Sequence, residues 1–207
     1  MHRLPSTVRC RVDFSHGSSG VKFQYGDCMS ASGDTGSFLP VSIAILTVSD
    51  TRTEETDTSG RLLAERLAAA GHRLAEKAIL PDDIYKIRAL ISKWIADPAV
   101  QAVIATGGTG LTERDHTPEA ITPLLDKTID GFGELFRALS YQEIGSSTVQ
   151  SRVLAGIANA TFIFCIPGST NACRLAWDSI LSLQLDNRTG PCNFVQLFPR
   201  LKRESAR

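Results

Sequence analysis

The sequence has no apolar run near the roughly 20 residues that a membrane-spanning helix requires, so a soluble protein without a membrane partner is expected. It also lacks a charge of one sign. Its 22 basic and 22 acidic side chains cancel, which leaves no overall field to attract nucleic acid or an anionic membrane, and any anion site must be local. Residues 1–20 lack the continuous apolar stretch of a secretory signal. Cysteines are few and scattered: Cys10, Cys28, Cys165, Cys173 and Cys192 offer no spacing for a zinc knuckle or a redox pair. Such a set is expected to stay reduced in the cytoplasm. Cys165, inside Phe162-Ile-Phe-Cys-Ile166, reads as core packing, because no histidine is placed in sequence to activate it as a nucleophile. His2, His16, His72 and His116 form no metal spacing either. Neither familiar phosphate loop is present: no Lys-Ser/Thr closes a glycine turn, and no Gly-x-Gly-x-x-Gly follows a strand.

What is present is the string Thr106-Gly-Gly-Thr-Gly-Leu-Thr-Glu-Arg-Asp-His-Thr-Pro-Glu-Ala120. Residues 101–106 before it form a short apolar strand. Gly107, Gly108 and Gly110 then allow positive φ and close approach to a ligand, and successive N–H groups in such a turn can form a concavity for an anion. An acid does not attract an anion, so the functional reading of Asp115 is a ligand to a cation such as Mg²⁺ that phosphates also bind; the alternative is an ordinary loop aspartate. Thr117-Pro118-Glu119 is expected to open a helix, with a side-chain cap and proline at its first position. His116 is singled out only by its place in this string.

With 207 residues, 43% of them hydrophobic, the chain fits one globular domain plus an appendage. Residues 1–40, rich in Ser and Gly, read as a flexible extension, and Met29 as the natural start. From Val41, strands and amphipathic helices alternate. Residues 43–48 form a buried strand, and Leu63, Leu67 and Ala70 share a helix face after Ser59-Gly60. A strand over 73–80 leads to a helix with Ile84, Ile87, Ile91 and Ile95 in a stripe, capped by an aspartate. Phe132, Leu135, Phe136 and Leu139 mark another helix, residues 151–154 a further segment, 162–166 a strand, and Asn171 the cap of the last helix. The pattern predicts an α/β sandwich around a mostly parallel sheet, in which ligands sit beyond the carboxyl ends of the strands.

The loops expected at that edge hold Ser49-Asp50, Pro81-Asp82-Asp83, residues 107–115 and Pro167-Gly168-Ser169. Asp82 can pair with Asp115 around Mg²⁺, or cap a helix. Ser169 can direct backbone N–H groups at an anion or simply cap its helix. Arg152 can fork onto a phosphate or lie on the surface, and Glu134 can be no more than a first-turn acid.

Val48-Ser49-Asp50, Asp57-Thr-Ser-Gly60, Pro81-Asp82, the 106–120 string, Gly131-Phe-Gly-Glu134 and Pro167-Gly168-Ser169 together resemble the MogA/MoaB family of molybdenum-cofactor biosynthesis proteins over about residues 41–200. Gly145-Ser-Ser-Thr-Val-Gln-Ser-Arg152 and the segment 185–194 are similar to its MoaB branch. The resemblance implies a three-layer molybdopterin-binding fold, with residues 201–207 a tail, and Mg-dependent adenylyl transfer from ATP to molybdopterin. It implies that Asp82 and Asp115 are catalytic and hold Mg²⁺. Thr106, Gly107, Gly108, Thr109 and Gly110 would line a phosphate, with Ser49, Asp50, Glu134, Ser151, Arg152, Pro167, Gly168 and Ser169 around the pterin. It further implies a homo-oligomer, trimer or hexamer. A carrier that binds molybdopterin without transferring AMP, or a scaffold for other assembly enzymes, is the alternative.

Overall fold

The computed structural model describes residues 36–201. The expected start at Met29, most of the N-terminal extension and nearly all of the tail lie outside the described residues. The strands are β1 (Ser42–Val48), β2 (Arg73–Leu80), β3 (Ala102–Thr106), β4 (Lys127–Thr128), β5 (Leu154–Ala158) and β6 (Thr161–Ile166). Among the described residues they form one sheet in the order β2-β1-β3-β6-β5-β4. β2, β1, β3 and β6 run parallel, and β5 is antiparallel to both β6 and β4. The helices are α1 (Thr58–Ala69), α2 (Ile84–Ala96), α3 (Thr117–Ile121), α4 (Asp130–Ile144) and α5 (Thr170–Ala176), the last continuing into a π-helical stretch, Trp177–Leu181.

Period-2 alternation divides the strand residues between two cores. Ile43, Ile45, Ile104, Phe162 and Phe164 face Leu63 and Leu67 of α1, Phe132 and Phe136 of α4, and Cys173 and Ala176 of α5. Ala44, Leu46, Val103, Ala105, Ile163 and Cys165 face Ile87, Ile91 and Trp94 of α2 together with Ala120 and Ile121 of α3. Both sheet faces are therefore covered, which is why β3 and β6 are buried along their whole length. The three-layer sandwich with a mostly parallel sheet is the architecture expected from sequence.

Several local expectations need correction. α1 starts at Thr58 with Asp57 as its cap, one residue ahead of the expected Ser59-Gly60 entry. α5 is capped by Ser169, not Asn171, because the Ser169 hydroxyl accepts from Ala172 N–H at 3.2 Å. Thr117 does not cap α3; its hydroxyl donates to the Gly107 carbonyl at 2.8 Å, and the residue at the cap position, His116, makes no side-chain cap bond. The segment beginning at 151 becomes the antiparallel β5, joined to β6 by a turn in which Asn159 (φ 44°) and Ala160 (φ 63°) are both left-handed.

Residues 36–40, the described end of the expected extension, lie against the domain. Leu39 N–H donates to Asn187 Oδ1 at 2.8 Å, and Phe38 packs on His72 with ring centroids 5.1 Å apart. His72 accepts a bond from Val41 N–H on Nδ1 at 3.2 Å, which only a neutral ring allows. Burial pushes the His72 pKa below its ordinary 6.5, with Asp186 opposing part of the shift. The unfolded chain therefore takes up a proton near pH 6.5 that the folded chain refuses. This stability is full above that pH and is lost as pH falls toward the folded pKa, by up to about 1.4 kcal/mol per pH unit. Urea midpoints at pH 7.5 and 5.5 test it. His72→Gln, which keeps an acceptor but does not titrate, should lose less stability on acidification than the parent chain; equal losses would contradict the assignment.

Candidate functional site

Register brings the ends of the parallel strands level: Val48 pairs with Leu80, Thr47 with Thr106, and Thr106 with Ile166. The loops that leave them, 49–56, 81–83, 107–116 and 167–169, open on one edge. β5 runs the other way and pairs Leu154 with Cys165, so residues 151–153 arrive at this same edge from its amino end. An open cavity of about 470 Å³ lies there, lined by Ser49, Asp50, Arg52, Thr53, Glu54 and Pro81.

The glycine turn is held from several sides. Gly107 (φ 99°) and Gly108 (φ 61°) adopt the positive φ expected of them; Gly110 does not, and owes its smallness to the Asp115 carboxylate packed on it, where a Cβ would stand 2.6 Å from Oδ2. Gly107 N–H donates to Ile166 O at 3.1 Å, and Thr117 N–H donates to Gly108 O at 3.0 Å. Thr106 Oγ1 donates to Pro167 O at 2.9 Å, and a Cβ on Gly168 would stand 3.1 Å from Gly107 Cα. Thr109 is buried beside them. The 106–110 and 167–169 segments thus form one packed unit.

The two acids differ in setting. Asp83, not Asp82, caps α2, accepting from Tyr85 and Lys86 N–H at 2.9 and 3.0 Å. Asp82 is left to face the 107–116 loop: its carboxylate accepts from His116 N–H at 3.0 and 3.2 Å and lies 3.2 Å from His116 Nδ1. Burial raises the Asp82 pKa, the bonds from His116 oppose this, and the charge of Asp115 raises it further. Asp115 turns its carboxylate inward, accepting from Thr112 N–H at 2.8 Å and Thr112 Oγ1 at 2.6 Å. Burial acts against its charge, but those bonds prevail and hold the carboxyl below its ordinary range. Asp82 and Asp115, packed on Gly108 and Gly110, offer hard oxygen ligands of the kind Mg²⁺ takes, one or two carboxylates plus substrate phosphate. No group of three or more potential metal ligands gathers among the described residues, and Mg²⁺ bound with phosphate does not require one.

The other candidates occupy distinct roles. Asp50 accepts from Asp82 N–H at 3.1 Å and pairs with Arg114 at 2.6 Å, tying the β1 loop to the 107–116 loop. Ser49 Oγ accepts from Thr51 and Arg52 N–H at 3.3 and 3.2 Å and so shapes its own turn. Arg152 directs its guanidinium at loop carbonyls and at Glu119. Beside it, the buried Ser151 Oγ has no partner among the described residues. Glu134 lines a different cavity, of about 270 Å³, with Asp130, Arg137 and residues 153–155. Sequence reasoning missed three members of the site network. Asp57 is fully buried and bonded to Thr47 Oγ1 at 2.9 Å and Lys77 at 3.1 Å, Ser59 Oγ donates to Gly168 O at 2.7 Å, and Glu119 pairs with Arg152. Only the Asp-Thr-Ser-Gly string hinted at the first two.

Residues 44–187 match the family described as "Probable molybdopterin binding domain". Molybdenum cofactor biosynthesis protein B of Escherichia coli (strain K12) is 57% identical over 166 residues, 80% of this chain and 96% of that protein. A crystal structure of a molybdenum cofactor biosynthesis protein B superposes with a TM-score of 0.69 at 46% identity, covering 71% of this chain and 92% of that one. The tungsten cofactor synthesizing protein MoaB from Pyrococcus furiosus superposes with a TM-score of 0.61 at 39% identity, covering 69% and 91%. With the domain match spanning most of the described residues and the fold shared, this chain belongs to the MogA/MoaB family of molybdenum-cofactor biosynthesis proteins.

Proposed function

We propose that this chain transfers the adenylyl group of ATP to molybdopterin, with Mg²⁺ held by Asp82 and Asp115. An oxygen of molybdopterin's terminal phosphate forms a bond to the α-phosphorus of ATP, the bond from that phosphorus to the bridging oxygen breaks, and pyrophosphate leaves. Two anionic groups must be brought together, so positioning and charge neutralisation matter more than proton transfer. Bound Mg²⁺ would supply neutralising charge at the phosphates. The chain's own part is to seat the phosphates on the Gly107-Gly108 turn and fix the two carboxylates beside it. The observation behind this reading is the placement of two carboxylates on the glycine turn, Asp82 against Gly108 and Asp115 against Gly110, at the strand edge.

Ser151 Oγ supports a ligand at this edge, being a buried hydroxyl with hydrogen-bonding capacity to spare. The same reading puts the protein in the cytoplasm as a trimer or hexamer. Tyr141, Ile144 and Val149, exposed along α4 and the turn after it, offer apolar surface for such contacts. No helix among the described residues is long and apolar enough to cross a membrane. A second reading, a carrier that binds molybdopterin without transfer, draws on the His116 bonds that already engage Asp82.

Asp115→Asn separates the two readings. It should lower adenylyl transfer by about 100-fold while molybdopterin affinity stays within about threefold, since the neutralised charge matters most as phosphate charge is redistributed. Turnover equal to the parent's would remove Asp115 from the reaction.

A further inference from the structure

Arg152, in the segment that leads into β5, reaches the 107–116 loop and bonds to it. Nε donates to Gly110 O at 2.7 Å, Nη2 donates to Asp115 O at 2.6 Å, and Nη1 pairs with the Glu119 carboxylate. The two carbonyls bracket the exposed tip of the loop, where Leu111 is 69% exposed, and Glu119 stands on α3 just beyond it. One rigid guanidinium therefore spans the start of the tip, its end and the helix that follows. A lysine, with a single charged point, cannot make these contacts in a fixed fork.

Burial acts against the Glu119 charge, but the Arg152 bond prevails and keeps Glu119 ionised below its ordinary range. The pair is thus internally neutralised, which weakens any attraction of Arg152 for a phosphate. The tip has a further fastening in the exposed Arg114–Asp50 pair at 2.6 Å. An exposed pair of that kind contributes little, whereas the Arg152 fork adds two part-buried bonds to loop carbonyls and is the stronger restraint.

We propose that Arg152 is a positioning residue and not a phosphate ligand: with Glu119 it clamps residues 110–119 and holds the glycine turn and Asp115 in the geometry that receives a ligand. The proposal rests on the functional reading above only for the identity of that ligand. The clamp itself is formed by the chain's own bonds, whatever ligand the turn receives.

Hydrogen exchange of amides in residues 108–117, measured without ligand on the full chain, tests the clamp; ATP affinity, measured with Mg²⁺ present, tests its consequence. Arg152→Met and Arg152→Lys should each speed exchange in that segment by about tenfold or more and weaken ATP binding, while amides of α1 and α2 keep their protection. Glu119→Gln, which leaves the arginine in place, should produce a smaller change in the same direction. Protection unchanged in Arg152→Met would overturn the clamp, and if ATP affinity were nevertheless lost, Arg152 would be a direct ligand. Faster exchange in the variants of a protein that binds no ATP would uphold the clamp while removing the adenylyl-transfer reading.

Discussion

Gly107→Ala is expected to destabilise the protein by about 3 kcal/mol or more and to abolish ligand binding at the strand edge. Gly107 has φ of 99°, a region that L side chains rarely adopt. Its added Cβ would collide with the carbonyl oxygen of Val48, a backbone atom at the end of β1. That strand is hydrogen-bonded on both sides, to β2 and β3, so it cannot move away without loss. Conformational strain and the collision act together, and relief of either would release the Gly107 bonds to Ile166 and Thr117. Gly131→Ala is the matched control, because a Cβ there meets nothing within 4 Å. It should be neutral within about 1 kcal/mol. Denaturant midpoints of the two variants, read beside their ATP affinities, check the pair. Equal midpoints would show that the turn is not under the constraint described.

Asp57→Ala should cost about 3–5 kcal/mol, the range for breaking a buried ion pair from one side. Asp57 is 0% exposed, caps α1 through Gly60 N–H at 2.9 Å, accepts from Thr47 Oγ1 at 2.9 Å and meets Lys77 Nζ at 3.1 Å. Removing it leaves Lys77 with the more exposed Glu54 and orphans both the cap donor and the Thr47 hydroxyl. The damage should extend to the site. The first turn of α1 carries Ser59, which bonds to Gly168 O, and Thr58, which lies 3.0 Å from the Thr170 hydroxyl, so a frayed α1 loosens the 167–169 loop. Asp57→Asn keeps an oxygen for the cap and loses only the charge. Its cost should fall clearly below that of alanine in the same denaturation series. If the two variants were equally unstable, the ion pair with Lys77 would dominate over capping.

The parallel core was legible because its strands are short apolar runs, 43–48, 101–106 and 162–166, closed by polar or glycine turns that locate their carboxyl ends. Residues at those ends, from Asp50 to Ser169, could then be assigned to one edge without knowing their contacts. The antiparallel edge was not legible. The turn between β5 and β6 uses Asn159 and Ala160 in left-handed geometry where a glycine would have given a signal, and β4 is too short for any period to appear. Missing the direction of β5 obscured how Arg152 arrives, and with it the difference between gripping a loop and gripping a phosphate. The acids show the same limit. Adjacent Asp82 and Asp83 are indistinguishable as caps in sequence, and the choice of Asp83 as the cap is tertiary, since Asp82 is drawn to His116 from across the sheet edge. Asp57 stood in a resembling motif, but its role was not legible because only the fold places Thr47 and Lys77 around it. Glu134 belonged to a resembling motif, yet the fold puts it in a cavity between α4 and β5.

The most direct test of the account is to incubate the purified protein with molybdopterin and MgATP and to follow pyrophosphate together with adenylylated molybdopterin. Adenylyl transfer predicts that both appear in equal amounts and depend on Asp82 and Asp115. Tight molybdopterin binding with neither product formed would contradict it and leave this chain a carrier.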